Sequence, residues 1–172
     1  MNLAIPSLDG IKNRSHSVLT VADELKLQIK STLAAVHSAN EAASKWLADR
    51  NAPPDVHYLA SLAIEELVTN CIKYGYEDAG EHIIEIKLQI SGNELALELT
   101  DDGRPFNPLD ASAPNTHLPG QDRSIGGLGI YLVRQMSDRM EYVRAEGKNR
   151  TTVRKSLGGE HGSPSIKDTS AS

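Results

Sequence analysis

Glu66 and Asn70 stand four apart in the run Ile64-Glu65-Glu66-Leu67-Val68-Thr69-Asn70-Cys71-Ile72-Lys73-Tyr74-Gly75-Tyr76. On a helix that spacing places one side chain a turn above the other, so both can address one object. Leu62, Ile64, Leu67, Val68 and Ile72 supply the apolar positions that dock such a helix on a core. A carboxylate and a carboxamide beside a buried face need partners, and a magnesium ion with its waters is one that suits them. The plainer reading makes the pair the wet edge of an amphipathic helix, and the two residues by themselves fit both. Two glycine-containing stretches raise similar questions. Asp101-Asp102-Gly103 sets an acceptor at the end of a strand and a glycine where the chain must turn, leaving room for a flat ligand or forming only a tight Asp-Gly turn. Gly126-Gly127-Leu128-Gly129 opens a helix, whose unpaired N–H groups and positive dipole end suit a polyphosphate, although such a stretch also serves as a connector. It lacks the Gly-Lys-Ser/Thr ending of a Walker loop and does not match a dinucleotide fingerprint.

These residues must be held by a scaffold of 172 residues, most simply one domain with loose ends. Aromatic residues make up only 4%, so aliphatic side chains fill the core. A net charge of -5 with no Lys/Arg cluster argues against a nucleic-acid surface. The single cysteine, Cys71, precludes an internal disulfide and a cysteine-based zinc site, and its place in an apolar helix makes it a core residue rather than a nucleophile. No run of eighteen apolar residues and no secretory signal pattern is present, so no membrane association and a cytoplasmic location are expected.

The periodicities predict the elements. Residues 1–20 read as a flexible tail and residues 21–157 as the folded domain. Glu24–Lys30 alternates as an edge strand with one buried face. Ser31 or Thr32 caps a helix running towards Arg50, which Pro53-Pro54 breaks before the Glu66 helix starts near Asp55. Ile84–Ile90 and Leu95–Leu99, joined by Ser91-Gly92-Asn93, form an antiparallel hairpin. A long Pro-, Asn-, Gly- and Ser-rich loop at about 104–125 reads as a functional lid. The helix after the glycines leads to a last hairpin, Tyr142–Ala145 and Thr151–Lys155, with Glu146-Gly147-Lys148-Asn149 as its connection. Residues 158–172 form a second flexible tail.

Glu-x-x-x-Asn on a helix, a hairpin, Asp-x-Gly, a long loop, Gly-x-Gly opening a helix and a closing strand with threonine, in that order, resemble the GHKL superfamily of ATP-binding proteins, the gyrases, histidine kinases and related ATPases with a histidine-kinase-type ATPase domain. Within it the chain looks most like the small bacterial anti-sigma-factor serine/threonine kinases, over about Leu25 to Lys155. The resemblance implies an α/β (α+β) two-layer sandwich of the GHKL, or Bergerat, type, with a mixed, mainly antiparallel sheet covered on one face by helices, and ATP between sheet, helices and lid. It makes Asn70 the magnesium ligand, Asp101 the acceptor for the adenine amino group and Glu66 the catalytic carboxylate. Gly103 would let adenine approach, Gly127 and Gly129 would bring N–H groups to the phosphates, and Thr152 would close the adenine pocket. Lys73 and Arg123 would reach phosphates. Tyr74 stands where many relatives have histidine, and Asn149-Arg150-Thr151 precedes Thr152 where a glycine is usual.

The activity implied is transfer of phosphate from Mg-ATP to a serine or threonine of an anti-anti-sigma protein of the STAS fold. The same chain, often as a homodimer, would bind a sigma factor when not engaged with that substrate, regulating transcription by partner switching. Two rivals are a histidine-kinase ATPase domain, weakened because His16 and His37 sit in no convincing acceptor helix pair, and a non-catalytic ATP-dependent binding switch, which would need Asn70 and Asp101 but not Glu66.

Overall fold

Strict alternation of Ile84, Ile86 and Leu88 in one strand with Leu95, Leu97 and Leu99 in the next places all six side chains on one face, where each is at most 2% exposed. The computed structural model describes residues 23–78, 80–110 and 127–158. The N-terminal tail, most of the expected lid including Arg123, and the tail beyond Gly158 lie outside the described residues. The elements are β1 (Asp23–Lys30), α1 (Leu33–Ala48), α2 (Pro54–Asn70), β2 (Ile83–Ser91), β3 (Glu94–Asp101), α3 (Leu128–Met136), β4 (Arg139–Ala145) and β5 (Lys148–Ser156). The strands form one sheet in the order β1-β2-β3-β5-β4.

All four pairings are antiparallel, where the resemblance implied a mixed sheet. β3 and β4 do run in the same direction, being joined through α3, but β5 lies between them, so no parallel ladder forms. Register aligns the side chains in rows across the sheet. Leu27, Ile86, Leu99, Thr151 and Tyr142 make one row on the helix-covered face. Lys26, Lys87, Glu98, Thr152 and Glu141 make the neighbouring row, one residue on, and therefore point to the other face. That outer face is polar and is laced by pairs such as Lys87 with Glu24 and Arg154 with Glu94.

The helices cover the inner face. Thr32 caps α1 by accepting from the Ala35 N–H at 3.4 Å. Val36, Ala39, Ala43, Trp46 and Leu47 turn inward from α1, and Val56, Leu59, Ala63, Ile64, Leu67 and Val68 from α2. Arg50 fastens the end of α1 to the start of β1 by two bonds to Asp23, at 2.5 and 2.8 Å, with its guanidinium 4.1 Å from the centre of the Trp46 ring. Pro54 opens α2, where a missing N–H costs nothing. The helix does not stop at Asn70 but widens into a π turn over Cys71–Gly75, a distortion often found beside functional sites. The last hairpin turns on Glu146 and Gly147 alone, both at positive φ (52° and 79°), so Lys148 and Asn149 belong to β5 and not to the connection expected from sequence. No helix among the described residues is long and apolar enough to cross a membrane.

Candidate functional site

Between α2, its π turn, the end of β3 and the facing part of β5 lies a cavity of about 280 Å³. Leu67 and Leu99 give it apolar walls, and Asn70, Asp101 and Thr151 supply polar groups. Tyr74, Arg104 and Phe106, all exposed, also line it, as does the buried Asn149. Largely apolar walls with a few placed polar groups suit a flat organic ligand.

Asp101 ends β3 and is only 4% exposed. Its Oδ1 accepts from the Gly103 N–H at 2.8 Å and from Asn149 Nδ2 at 2.9 Å. Among the described residues its Oδ2 accepts only from the Cys71 thiol, at 3.4 Å. A thiol is a weak donor, so Oδ2 keeps acceptor capacity for an N–H or O–H of a ligand. Burial first, and then the neighbouring Asp101 charge, pushes the Cys71 thiol well above its ordinary range. It therefore stays a protonated donor, as its expected core position requires.

Asn70, at the end of α2, lines the same cavity, and its Nδ2 is buried without a hydrogen-bond partner among the described residues. An orphaned carboxamide at a cavity wall is costly unless a ligand meets it. A half-turn of the amide exchanges its nitrogen and oxygen, so the side chain fits a metal ion as well as a ligand acceptor. One turn earlier, Glu66 leaves α2 towards α3. A methyl group built on Gly129 would overlap the Glu66 carboxyl, so the glycine is what admits that side chain against the first turn of α3. That turn begins at Gly127, has no side-chain cap and carries no acidic residue of its own. Its N–H groups and dipole favour an anion there.

The structure thus gathers Asn70 and Asp101 on one cavity and sets Glu66, Gly127 and Gly129 at the adjoining α2–α3 contact. Lys73 sits exposed on the π turn, outside the cavity lining, with no ion pair among the described residues. Gly103 is not in the cavity wall either. A Cβ there would lie 2.8 Å from both the Gly75 carbonyl oxygen and Asp101 Oδ1, so the glycine makes room for the chain itself. The adjacent Arg104 N–H donates to that same Gly75 carbonyl at 2.8 Å. Thr152 is turned away from the cavity by the strand alternation, and Thr151 takes the inward position. Arg123 lies outside the described residues.

Sequence reasoning missed Thr151 and Asn149. Counting back by twos from the apolar Val153 along β5 reaches both.

The geometry agrees with comparison to known proteins. Residues 29–155 match the family described as histidine kinase-like ATPase domain. An anti-sigma F factor of Thermoanaerobacter sp. (strain X514) is 31% identical over 103 residues, covering 59% of this chain and 71% of that protein. The serine-protein kinase RsbW of Bacillus thuringiensis (strain Al Hakam) is 30% identical over 94 residues, covering 50% of this chain and 56% of its own length. Among solved structures, the RsbU and RsbW domains of a Mycobacterium tuberculosis protein superpose with a TM-score of 0.57 at 17% identity, over 78% of this chain and 32% of that one, a likeness of fold. The chain belongs to the histidine kinase-like ATPase domain family, and its relatives there include anti-sigma factors and serine-protein kinases.

Proposed function

We propose that the chain binds Mg-ATP in the cavity and transfers the terminal phosphate to a serine or threonine of an anti-anti-sigma partner of the STAS fold, and that it also binds a sigma factor, as a homodimer in the cytoplasm. The observation that carries the reading is the buried Asp101 carboxylate, one oxygen saturated and the other held among the described residues only by a thiol, at an apolar cavity that also holds the Asn70 Nδ2, unpartnered among those residues. The names of the relatives, anti-sigma F factor and serine-protein kinase, support the choice of partner and reaction.

On this reading Asp101 accepts the adenine amino group, Leu67 and Leu99 pack on the purine, and Thr151 takes the role first given to Thr152. Asn70 holds magnesium, which when bound supplies charge neutralisation at the phosphates. The N–H groups at Gly127 and Gly129 face the phosphates, with Lys73 and Arg123 as further phosphate contacts. Glu66, one turn from Asn70, orients the incoming hydroxyl and accepts its proton.

Radiolabelled ATP, a recombinant STAS-domain protein and the Glu66→Gln variant test the reading together. Label on the partner, reduced strongly in the variant, is the expected outcome. Label on the chain itself would instead mark a histidine kinase, and nucleotide binding without transfer a binding switch. Equal transfer by Glu66→Gln would remove Glu66 from the proton step. Nucleotide binding has its own readout, since ATP at a hundred times its dissociation constant adds about 2.7 kcal/mol to stability.

A further inference from the structure

Asn149 stands in β5 directly opposite Asp101 of β3 and Arg144 of β4, is 4% exposed, and has both ends of its carboxamide in use. Its Nδ2 donates to Asp101 Oδ1 at 2.9 Å and to the Arg104 carbonyl at 2.9 Å. Its Oδ1 accepts from Tyr142 Oη at 2.8 Å and from Arg144 Nη1 at 2.7 Å. A guanidinium can only donate, so Arg144 fixes which end of the amide is oxygen and leaves the NH2 end facing Asp101. The same Arg144 nitrogen donates to the Gly103 carbonyl at 3.0 Å, tying the hairpin to the loop after β3.

Resting on the nucleotide reading above, we infer that Asn149 is a positioning residue that sets base selectivity. By occupying Asp101 Oδ1 from a fixed direction it leaves Oδ2 as the acceptor, so that a purine bearing an amino group at this edge is taken and one bearing a carbonyl there is refused. A carbonyl opposite Oδ2 sets acceptor against acceptor in a desolvated site, where an unpaired polar group is expensive. Without Asn149, the Gly103 N–H on Oδ1 and the weak Cys71 thiol on Oδ2 are what hold the carboxylate among the described residues, and its orientation loosens. Arg144 acts one step further out, by denying the Asn149 amide its flipped state, and Tyr142 adds a second bond that holds the amide oxygen in place.

The test measures dissociation constants for Mg-ATP and Mg-GTP by calorimetry on the wild-type chain, Asn149→Ala and Tyr142→Phe, with a thermal melt of each. The wild type should prefer ATP. Asn149→Ala should lose about 10- to 100-fold of that preference, the range a hydrogen bond to a charged group carries. Tyr142→Phe, which keeps Asn149 in place, should lose a smaller part in the same direction and decides the matter if the alanine variant does not fold. Folded variants that keep the wild-type ATP/GTP ratio, or that weaken both nucleotides equally, overturn the inference and leave the nucleotide reading intact. A wild-type chain that binds neither nucleotide overturns the nucleotide reading itself.

Discussion

Gly129→Ala separates binding from transfer. The new methyl would fall on the Glu66 carboxyl, which is the far end of a side chain with rotatable bonds and therefore yields before α3 does. Relieving the overlap requires the carboxyl to move by roughly 1 Å or more, a displacement that for a catalytic group costs about 100-fold in rate. That corresponds to about 2.7 kcal/mol of lost transition-state stabilisation. The backbone N–H of residue 129 survives the substitution, so affinity for Mg-ATP should change little. Stability should hold or rise, because alanine is the better helix former by up to about 1 kcal/mol. The assay sets initial rates of phosphate transfer to the partner beside calorimetric ATP affinity and a melting temperature. If Gly129 acts through Glu66, adding Gly129→Ala to Glu66→Gln should slow transfer no further. Affinity and rate falling in parallel would refute the reasoning, since it would place the damage at the phosphates; so would an unchanged rate.

Gly103→Ala meets rigid backbone at Gly75 as well as the Asp101 carboxylate, so it should cost about 2 kcal/mol as an overpacked contact and lower the melting temperature by roughly 8 °C. Leu88→Ala, at a fully buried position in the middle of the sheet, should cost about 2–5 kcal/mol, read from the urea midpoint. His82 bonds Asp78 at 2.9 Å and Asp102 at 3.1 Å and stacks on Tyr76 at 3.9 Å between ring centres. Its bond to Asp78 is the main reason that the His82 pKa is raised, and that same bond holds the Asp78 carboxyl below its usual range. The raised His82 pKa gives stability that is full below about pH 6.5 and is lost as pH rises through the folded value. The lowered Asp78 pKa gives stability that is present above about pH 4 and is lost in acid. Urea midpoints of the wild type relative to His82→Gln should therefore be highest between those limits and decline towards pH 8.5, and a flat difference would show that the cluster contributes nothing.

The β2–β3 hairpin was legible because its alternation is unbroken and its turn carries Gly92 at positive φ. α1 was legible because Thr32 and the two prolines mark its limits. The last hairpin was harder to read because Met140, Tyr142, Val143 and Ala145 in one strand do not alternate cleanly and Val153 is the one apolar residue of the other, while Glu146 offers no sign that it will adopt a left-handed conformation. Drawing that turn two residues too wide hid Asn149, and of two adjacent threonines the sequence reading named Thr152, whereas strand alternation turns Thr151 to the cavity. A period of two makes a one-residue error a change of face. Gly103 was expected to let a flat ligand approach, and in the fold the space its missing side chain leaves is taken by the Gly75 backbone and the Asp101 carboxylate.

The π turn explains why these pieces meet at all. Its first residue gives the thiol that holds Asp101 Oδ2, and its last gives the carbonyl that holds the Arg104 N–H. In a regular α-helix each residue advances about 100° around the axis, whereas a π turn spreads an extra residue over one turn. Returning this segment to α geometry would swing either Cys71 or Gly75 away from the end of β3, since both cannot keep their present directions. The turn therefore clamps the recognition end of the cavity, while Glu66, held at Gly129 in regular helix just before it, keeps its own geometry. Shortening the turn by deleting one residue should accordingly free the loop after β3 and weaken nucleotide binding before it alters the α2–α3 contact, a sequence that hydrogen exchange at the Gly103 and Arg104 amides would read directly.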